Sequence, residues 1–215
     1  MSERVRWPDL GCNLVAILRG LQPSEVEAVV GGLIEVGFEA IEIPLNSPEP
    51  FRSIETAAKM APSGVYIGAG TVLEVEDVDR LKEAGGRLLV SPNVEPQVIL
   101  RAGAHGMVTM PGVFTATEAF TALKAGASGL KFFPASVLGP TGIGALMAVL
   151  PKGTVVGAVG GVSEENFQAF GKAGVTAFGL GSSLFKPGMS AAEVIERGRR
   201  AVAAYHRVFA QGDTA

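Results

Sequence analysis

Short apolar runs alternate with helical segments along the 215-residue chain, and this rhythm restricts the fold more than any single motif does. The strand-like runs cover residues 14–18, 40–45, 65–69, 88–91, 107–110, 129–133, 155–159 and 177–180. Helical patterns cover residues 24–36, 50–60, 75–84, 96–102, 116–125, 143–150, 164–172 and 191–209, and Gly37, Gly85 and Gly126 stand where helices stop. Strand followed by helix, repeated, implies parallel strands joined by right-handed crossovers. Eight such units predict an α/β fold of the single (β/α)8 TIM-barrel type, which needs roughly 200 residues or more. One domain over residues 1–215 is expected, with residues 1–12 an N-terminal extension or short helix. A doubly wound open sheet is the competing architecture, but no G-x-G-x-x-G opens a helix after the first strand.

Composition narrows the function classes. The formal net charge of −3, from 18 basic and 21 acidic residues, provides no basic stripe for nucleic acid, so no nucleic-acid partner is expected. No apolar run reaches the ~18 residues of a spanning helix, so no membrane partner is expected either. The start, residues 1–9, is charged and lacks the apolar core of a signal peptide, and a cytoplasmic chain is expected. Cys12 is the one cysteine, which permits no internal disulfide. His105 and His206 stand apart from any acidic or cysteine cluster, so no metal site and no cofactor are expected.

Strands covered on both faces should be nearly free of charge. Three charged residues break that rule: Arg19 directly after the first run, Glu42 in the second and Lys131 in the sixth. Alternation along a strand points Lys131 and Phe133 to one face and Leu130 and Phe132 to the other. It likewise separates Glu42 from Ile41 and Ile43. If Glu42 and Lys131 face inward, strands two and six bring them toward each other across the barrel, and Arg19 stands at the C-terminal rim where such barrels carry active sites. Arg87, before the fourth run, falls at the opposite rim.

A lysine among apolar residues is either a satisfied structural ion or an amine whose pKa is lowered until it becomes a nucleophile. Phe133 and Arg19 push that pKa down and an ionised Glu42 pushes it up, so the sequence leaves the sign open. As a nucleophile, Lys131 attacks a carbonyl to form a Schiff base, Glu42 moves protons, and Arg19 supplies a planar fork for a carboxylate. Pro92, at the same rim, could wall a substrate. Gly160 and Gly161 close the seventh strand, and Gly181 and Ser182 close the eighth. Loops in these two places are the common phosphate site of such barrels.

The motifs Ala16-Ile17-Leu18-Arg19-Gly20, Glu42-Ile43-Pro44-Leu45-Asn46-Ser47-Pro48, Gly68-Ala69-Gly70-Thr71-Val72, Ser91-Pro92-Asn93, Lys131-Phe132-Phe133-Pro134 and Gly160-Gly161 are carried in this order. Along nearly its whole length the chain resembles the KDPG/KHG class I aldolases, which cleave 2-keto-3-deoxy-6-phospho sugar acids. The resemblance implies Lys131 as Schiff-base lysine, Glu42 as proton shuttle, Arg19 with Thr71 on the pyruvyl carboxylate, and Gly160, Gly161 and Ser182 in a phosphate cradle. The segment Ile43-Pro44-Leu45-Asn46-Ser47-Pro48 looks like the galactonate branch. Val159 stands where gluconate enzymes typically carry threonine, and valine cannot bond a C4 hydroxyl. The implied reaction is cleavage of 2-dehydro-3-deoxy-6-phospho-D-galactonate to pyruvate and D-glyceraldehyde 3-phosphate, and the family is commonly trimeric, so a homotrimer is expected. The alternatives are the gluconate or 4-hydroxy-2-oxoglutarate substrate and, in other classes, a phosphosugar isomerase or epimerase or a non-catalytic sugar-phosphate-binding barrel.

Overall fold

The computed structural model describes residues 4–209. Nine short strands form one parallel sheet: β1 Leu14–Ile17, β2 Ala40–Pro44, β3 Tyr66–Gly70, β4 Leu88–Val90, β5 Val108–Met110, β6 Gly112–Val113, β7 Leu130–Phe132, β8 Val156–Val159 and β9 Ala177–Leu180. Among the described residues eight α-helices alternate with them: α1 Val26–Glu35, α2 Pro50–Met60, α3 Val75–Glu83, α4 Pro96–Ala104, α5 Ala116–Lys124, α6 Ala135–Met147, α7 Phe167–Lys172 and α8 Ala191–Phe209. The strand order is β5-β4-β3-β2-β1-β9-β8-β7-β6.

Nine strands instead of the predicted eight follow from one residue. Pro111 lies between β5 and β6 and has no N–H to donate, so the fifth barrel strand is interrupted there. The backbone still closes the ring, because Gly129 N donates to Thr109 O at 3.0 Å and Lys131 N donates to Pro111 O at 2.9 Å. The result is a (β/α)8 TIM barrel in which β7 is the sixth barrel strand. Residues 4–12 carry no helix or strand.

The period-two alternation of each strand sorts its side chains into two cores. Leu14, Ala16, Ile41, Ile43, Ile67, Leu89, Leu130, Phe132, Val156, Ala158, Phe178 and Leu180 face the helices in one large cluster. Val15, Ala40, Leu88, Val90, Val108, Met110 and Ala177 form a second, inner cluster, closed from below by Val5, Trp7 and Leu10. Burying one such aliphatic or aromatic side chain contributes ~1.5–3 kcal/mol, so the inner cluster anchors one end of the barrel. The other end of the interior is built differently.

Two helices depart from the sequence expectation. The sixth begins at Ala135 rather than at residue 143, because Gly139 takes a non-helical conformation (φ 65°, ψ 170°) that lets the chain turn into Pro140 and resume as helix. The seventh is shorter than expected and begins at Phe167: Asn166 Oδ1 accepts from Ser163 N at 3.1 Å, which holds the preceding residues in a turn.

Candidate active site

Glu42 and Lys131 are both buried, 2 % and 6 % exposed, on strands β2 and β7. Their neighbours Ile41, Ile43, Leu130 and Phe132 belong to the helix-facing cluster, so alternation turns both charged side chains into the barrel. Glycines make the space for them. Glu42 pairs in register with Gly68, and Lys131 with Gly112 and Gly157. A Cβ on Gly70 would come within 1.8 Å of Glu42 Oε2, so the carboxyl group occupies the volume a side chain at residue 70 would need. That oxygen is buried and has no hydrogen-bond partner. An orphaned carboxylate oxygen is costly, and such a group is retained where chemistry uses it.

Burial decides the direction of the Lys131 shift, whose sign the sequence left open. It pushes the Glu42 carboxyl up to about 7, against the opposing pull of the Lys131 and Arg19 charges. It pushes the Lys131 ammonium below its ordinary value, and the Arg19 charge adds to that fall while Glu42 resists it. The Lys131 Nζ also lies over the Phe133 ring, 4.8 Å from its centroid. A carboxyl group near 7 can give and take protons at neutral pH, and a desolvated amine is available as a nucleophile.

Arg19 follows β1 and is exposed at the C-terminal rim, where its Nη1 donates to Asn46 Oδ1 at 2.5 Å. A cavity of about 380 Å³ opens at this rim. Arg19, Phe133, Val159, Gly160, Gly161, Gly181 and Ser182 all stand on its wall, together with Ile17, Val162, Ser163, Gly179 and Ser183. Ile17, Val159 and Gly179 meet in its lining: a Cβ on Gly179 would come within 2.6 Å of Val159 and 3.1 Å of Ile17. Ser183 Oγ donates to Val162 O at 2.9 Å and ties the two glycine-rich loops together. The helix after the first of these loops, α7, has six residues, so the loop backbone and serine hydroxyls are the donors offered there.

Glu42, Lys131, Thr71 and Pro92 are not on this wall. Thr71 directly follows β3 and Gly70, and adopts the left-handed conformation (φ 58°) that non-glycine residues avoid. Strain of this kind persists where the surroundings impose it and clusters at functional sites. Pro92 presents its carbonyl to Gly112, where a Cβ would approach to 2.3 Å. Sequence reasoning missed Asn46 and Ser183. Asn46 lies inside a quoted motif and Ser183 directly follows Ser182, but their hydrogen bonds reach across 27 and 21 residues of sequence.

His105, Asp79, Arg101 and Arg87 lie away from this pair. His105 Nε2 is 2.7 Å from Asp79 Oδ1, which also accepts from Arg101 Nε at 2.7 Å, joining α3 to α4. Those two partners hold the Asp79 carboxyl at about 2. Arg87 stacks on Tyr66, 4.4 Å from the ring centroid. Among the described residues no helix is long and apolar enough to cross a membrane.

Comparison with known proteins agrees with this geometry. The chain is 64% identical over 207 residues to a probable 2-dehydro-3-deoxy-6-phosphogalactonate aldolase of Rhizobium meliloti (strain 1021), covering 96% of this chain and 98% of the relative. It is 49% identical over 192 residues to the 2-dehydro-3-deoxy-6-phosphogalactonate aldolase of Escherichia coli (strain K12), covering 89% and 94% of the two chains. A solved native KDPGal structure superimposes with a TM-score of 0.92 at 47% identity, covering 94% of this chain and 98% of that one. The sequence model of the KDPG and KHG aldolases matches residues 11–199. A buried lysine and carboxyl group facing into one (β/α)8 barrel, with relatives of this identity and coverage, establish that the chain belongs to the KDPG and KHG aldolase family.

Proposed function

We propose that the chain, as a single (β/α)8 domain, is a class I aldolase that cleaves 2-dehydro-3-deoxy-6-phospho-D-galactonate to pyruvate and D-glyceraldehyde 3-phosphate. The observation that carries this reading is the buried pair: burial lowers the Lys131 amine and raises the Glu42 carboxyl to about 7 in one barrel interior. Lys131 attacks the C2 carbonyl carbon, and loss of water leaves an iminium. Glu42 takes the proton from the C4 hydroxyl, the C3–C4 bond breaks, and its electron pair flows into the iminium to give an enamine. Glyceraldehyde 3-phosphate leaves, Glu42 returns the proton to C3, and water releases pyruvate from Lys131.

Arg19 and Thr71 hold the carboxylate, Pro92 and Phe133 wall the reacting carbons, and Gly160, Gly161, Gly181 and Ser182 receive the phosphate. Val159 distinguishes the C4 epimers, because its side chain lines the cavity and offers no hydroxyl. The relatives named for the galactonate substrate support the same choice. A cytoplasmic homotrimer is the proposed assembly; exposed Leu73, Leu100, Phe114 and Val137 are apolar surface that an assembly would cover.

Two measurements test this. Borohydride reduction with labelled pyruvate is expected to leave one adduct at Lys131, and no adduct there removes the Schiff-base mechanism. Cleavage rates on the two phosphorylated epimers are expected to favour the galactonate compound, and Val159→Thr is expected to narrow the ratio. Equal rates, or a preference for gluconate, overturn the role given to Val159.

A further inference from the structure

We propose that Asn46, in the loop after β2, is a positioning residue that aims the Arg19 guanidinium at the substrate carboxylate. This inference rests on the carboxylate-clamp role given to Arg19 above. An exposed arginine has several rotatable bonds and loses considerable rotamer entropy when it is held in one place. Arg19 is such a residue, standing at the rim with no carboxylate partner among the described residues. Its Nη1 instead donates to Asn46 Oδ1 at 2.5 Å. An amide is suited to this task. It fixes the orientation of the guanidinium yet leaves its full charge for the substrate, and an arginine with five donors keeps a free edge for a bidentate carboxylate.

The backbone beneath the pair is fixed by the same loop. The buried Ser47 hydroxyl accepts from Gly20 N at 2.9 Å, so the residue after Arg19 is tied to the residue after Asn46. Gly20 has φ 87°, and a Cβ there would come within 2.7 Å of Pro187, so the turn carrying Arg19 is confined from the other side. Leu18 N donates to Glu42 O at 3.0 Å, continuing the β1–β2 contact down to the proton shuttle. The loop bearing Asn46 and Ser47 therefore links the carboxylate clamp to the strand that carries Glu42.

The test is pyruvate-dependent borohydride trapping at Lys131 in the full chain, compared among the unmodified protein, Asn46→Ala, Arg19→Ala and the double variant. Asn46→Ala is expected to raise half-saturating pyruvate about 10-fold, the scale of one hydrogen bond to a charged group, with the amount trapped at saturation retained. In the Arg19→Ala background the same substitution is expected to add no further shift, because the interaction it removes is already absent. Trapping of methyl pyruvate, which has no carboxylate charge, is expected to be unaffected by Asn46→Ala. An undiminished effect in the Arg19→Ala background, an equal effect on methyl pyruvate, or no effect on pyruvate overturns the proposal. Failure of the unmodified protein to trap pyruvate at all is distinguishable from these and removes the aldolase reading together with this inference.

Discussion

The two ends of the barrel interior use the same strands for opposite purposes. At the N-terminal end, Val15, Ala40, Leu88, Val108 and Ala177 pack together and Val5, Trp7 and Leu10 close them off. Polar groups there are satisfied: Trp7 Nε1 donates to Asn13 Oδ1 at 2.8 Å, Arg4 Nη2 to Ser128 O at 3.1 Å, and Thr109 and Ser128 exchange reciprocal backbone-to-hydroxyl bonds. At the C-terminal end the interior holds Glu42, Lys131 and a set of glycines, with a carboxylate oxygen left unpaired and Thr71 in a strained conformation. Burial acts on titratable groups outside the C-terminal site as well, but with different consequences. It pushes the Cys12 thiol up to about 12, which makes that group inert at neutral pH. The same physical effect at the C-terminal end brings Glu42 to about 7 and lowers Lys131. Stability is thus concentrated at one end, and the other forgoes some of it to keep reactive groups unpaired.

The largest expected effect that sharpens this contrast is Lys131→Met. Imine formation and cleavage should be lost altogether, while the melting temperature is unchanged or raised, because an apolar side chain of similar length replaces a desolvated amine. A large fall in melting temperature would show that Lys131 is structural and would break the contrast.

Next is Glu42→Gln, expected to retain some pyruvate imine but to cleave roughly 10²-fold more slowly or worse. Full retention of the rate would contradict the shuttle. The same variant has a stability signature. The Glu42 carboxyl is raised in the folded state, so the folded chain holds its proton where the unfolded chain has released it. Its contribution is fully present below the ordinary value of 4.5 and is lost as pH rises toward about 7. Denaturant unfolding between pH 4.5 and 7 should therefore show a downward slope that Glu42→Gln reduces, and an unchanged slope would place the carboxyl in a wetter setting.

The smallest effect lies at the other end. Val15→Ala removes two buried methyl groups from the inner cluster and should lower stability by about 2 kcal/mol in chemical denaturation. Cleavage rates measured well below the melting temperature should stay unchanged. A matching loss of rate would mean the two ends are mechanically coupled.

Much of this architecture was readable before any coordinates. The eight strand-like runs and the helices between them follow from apolar periodicity, which needs only local sequence. Glu42 and Lys131 stood out because a charge in a doubly covered strand requires an explanation. The misses have local causes as well. The sixth helix was expected over residues 143–150, but Gly139 absorbs the turn before Pro140 and α6 starts at Ala135. Pro111 divided a strand that the apolar pattern treated as ending at residue 110. Thr71 was placed on the carboxylate by family resemblance, and its left-handed backbone was invisible to composition or spacing.

The sequence by itself determined the order of elements, the two alternating sets of side chains on each strand and the identity of the charged residues among them, because alternation along a strand is a property of neighbours. The tertiary structure decided the rest. Whether the amine falls or rises depends on burial and the Arg19 charge from the β1 loop weighed against the Glu42 charge from β2, and these partners stand far from Lys131 along the chain. That Gly70 clears the volume for Glu42, and that Asn46 holds Arg19, depends on which strands lie side by side. Such terms are set by distances through space, and chain order does not contain them.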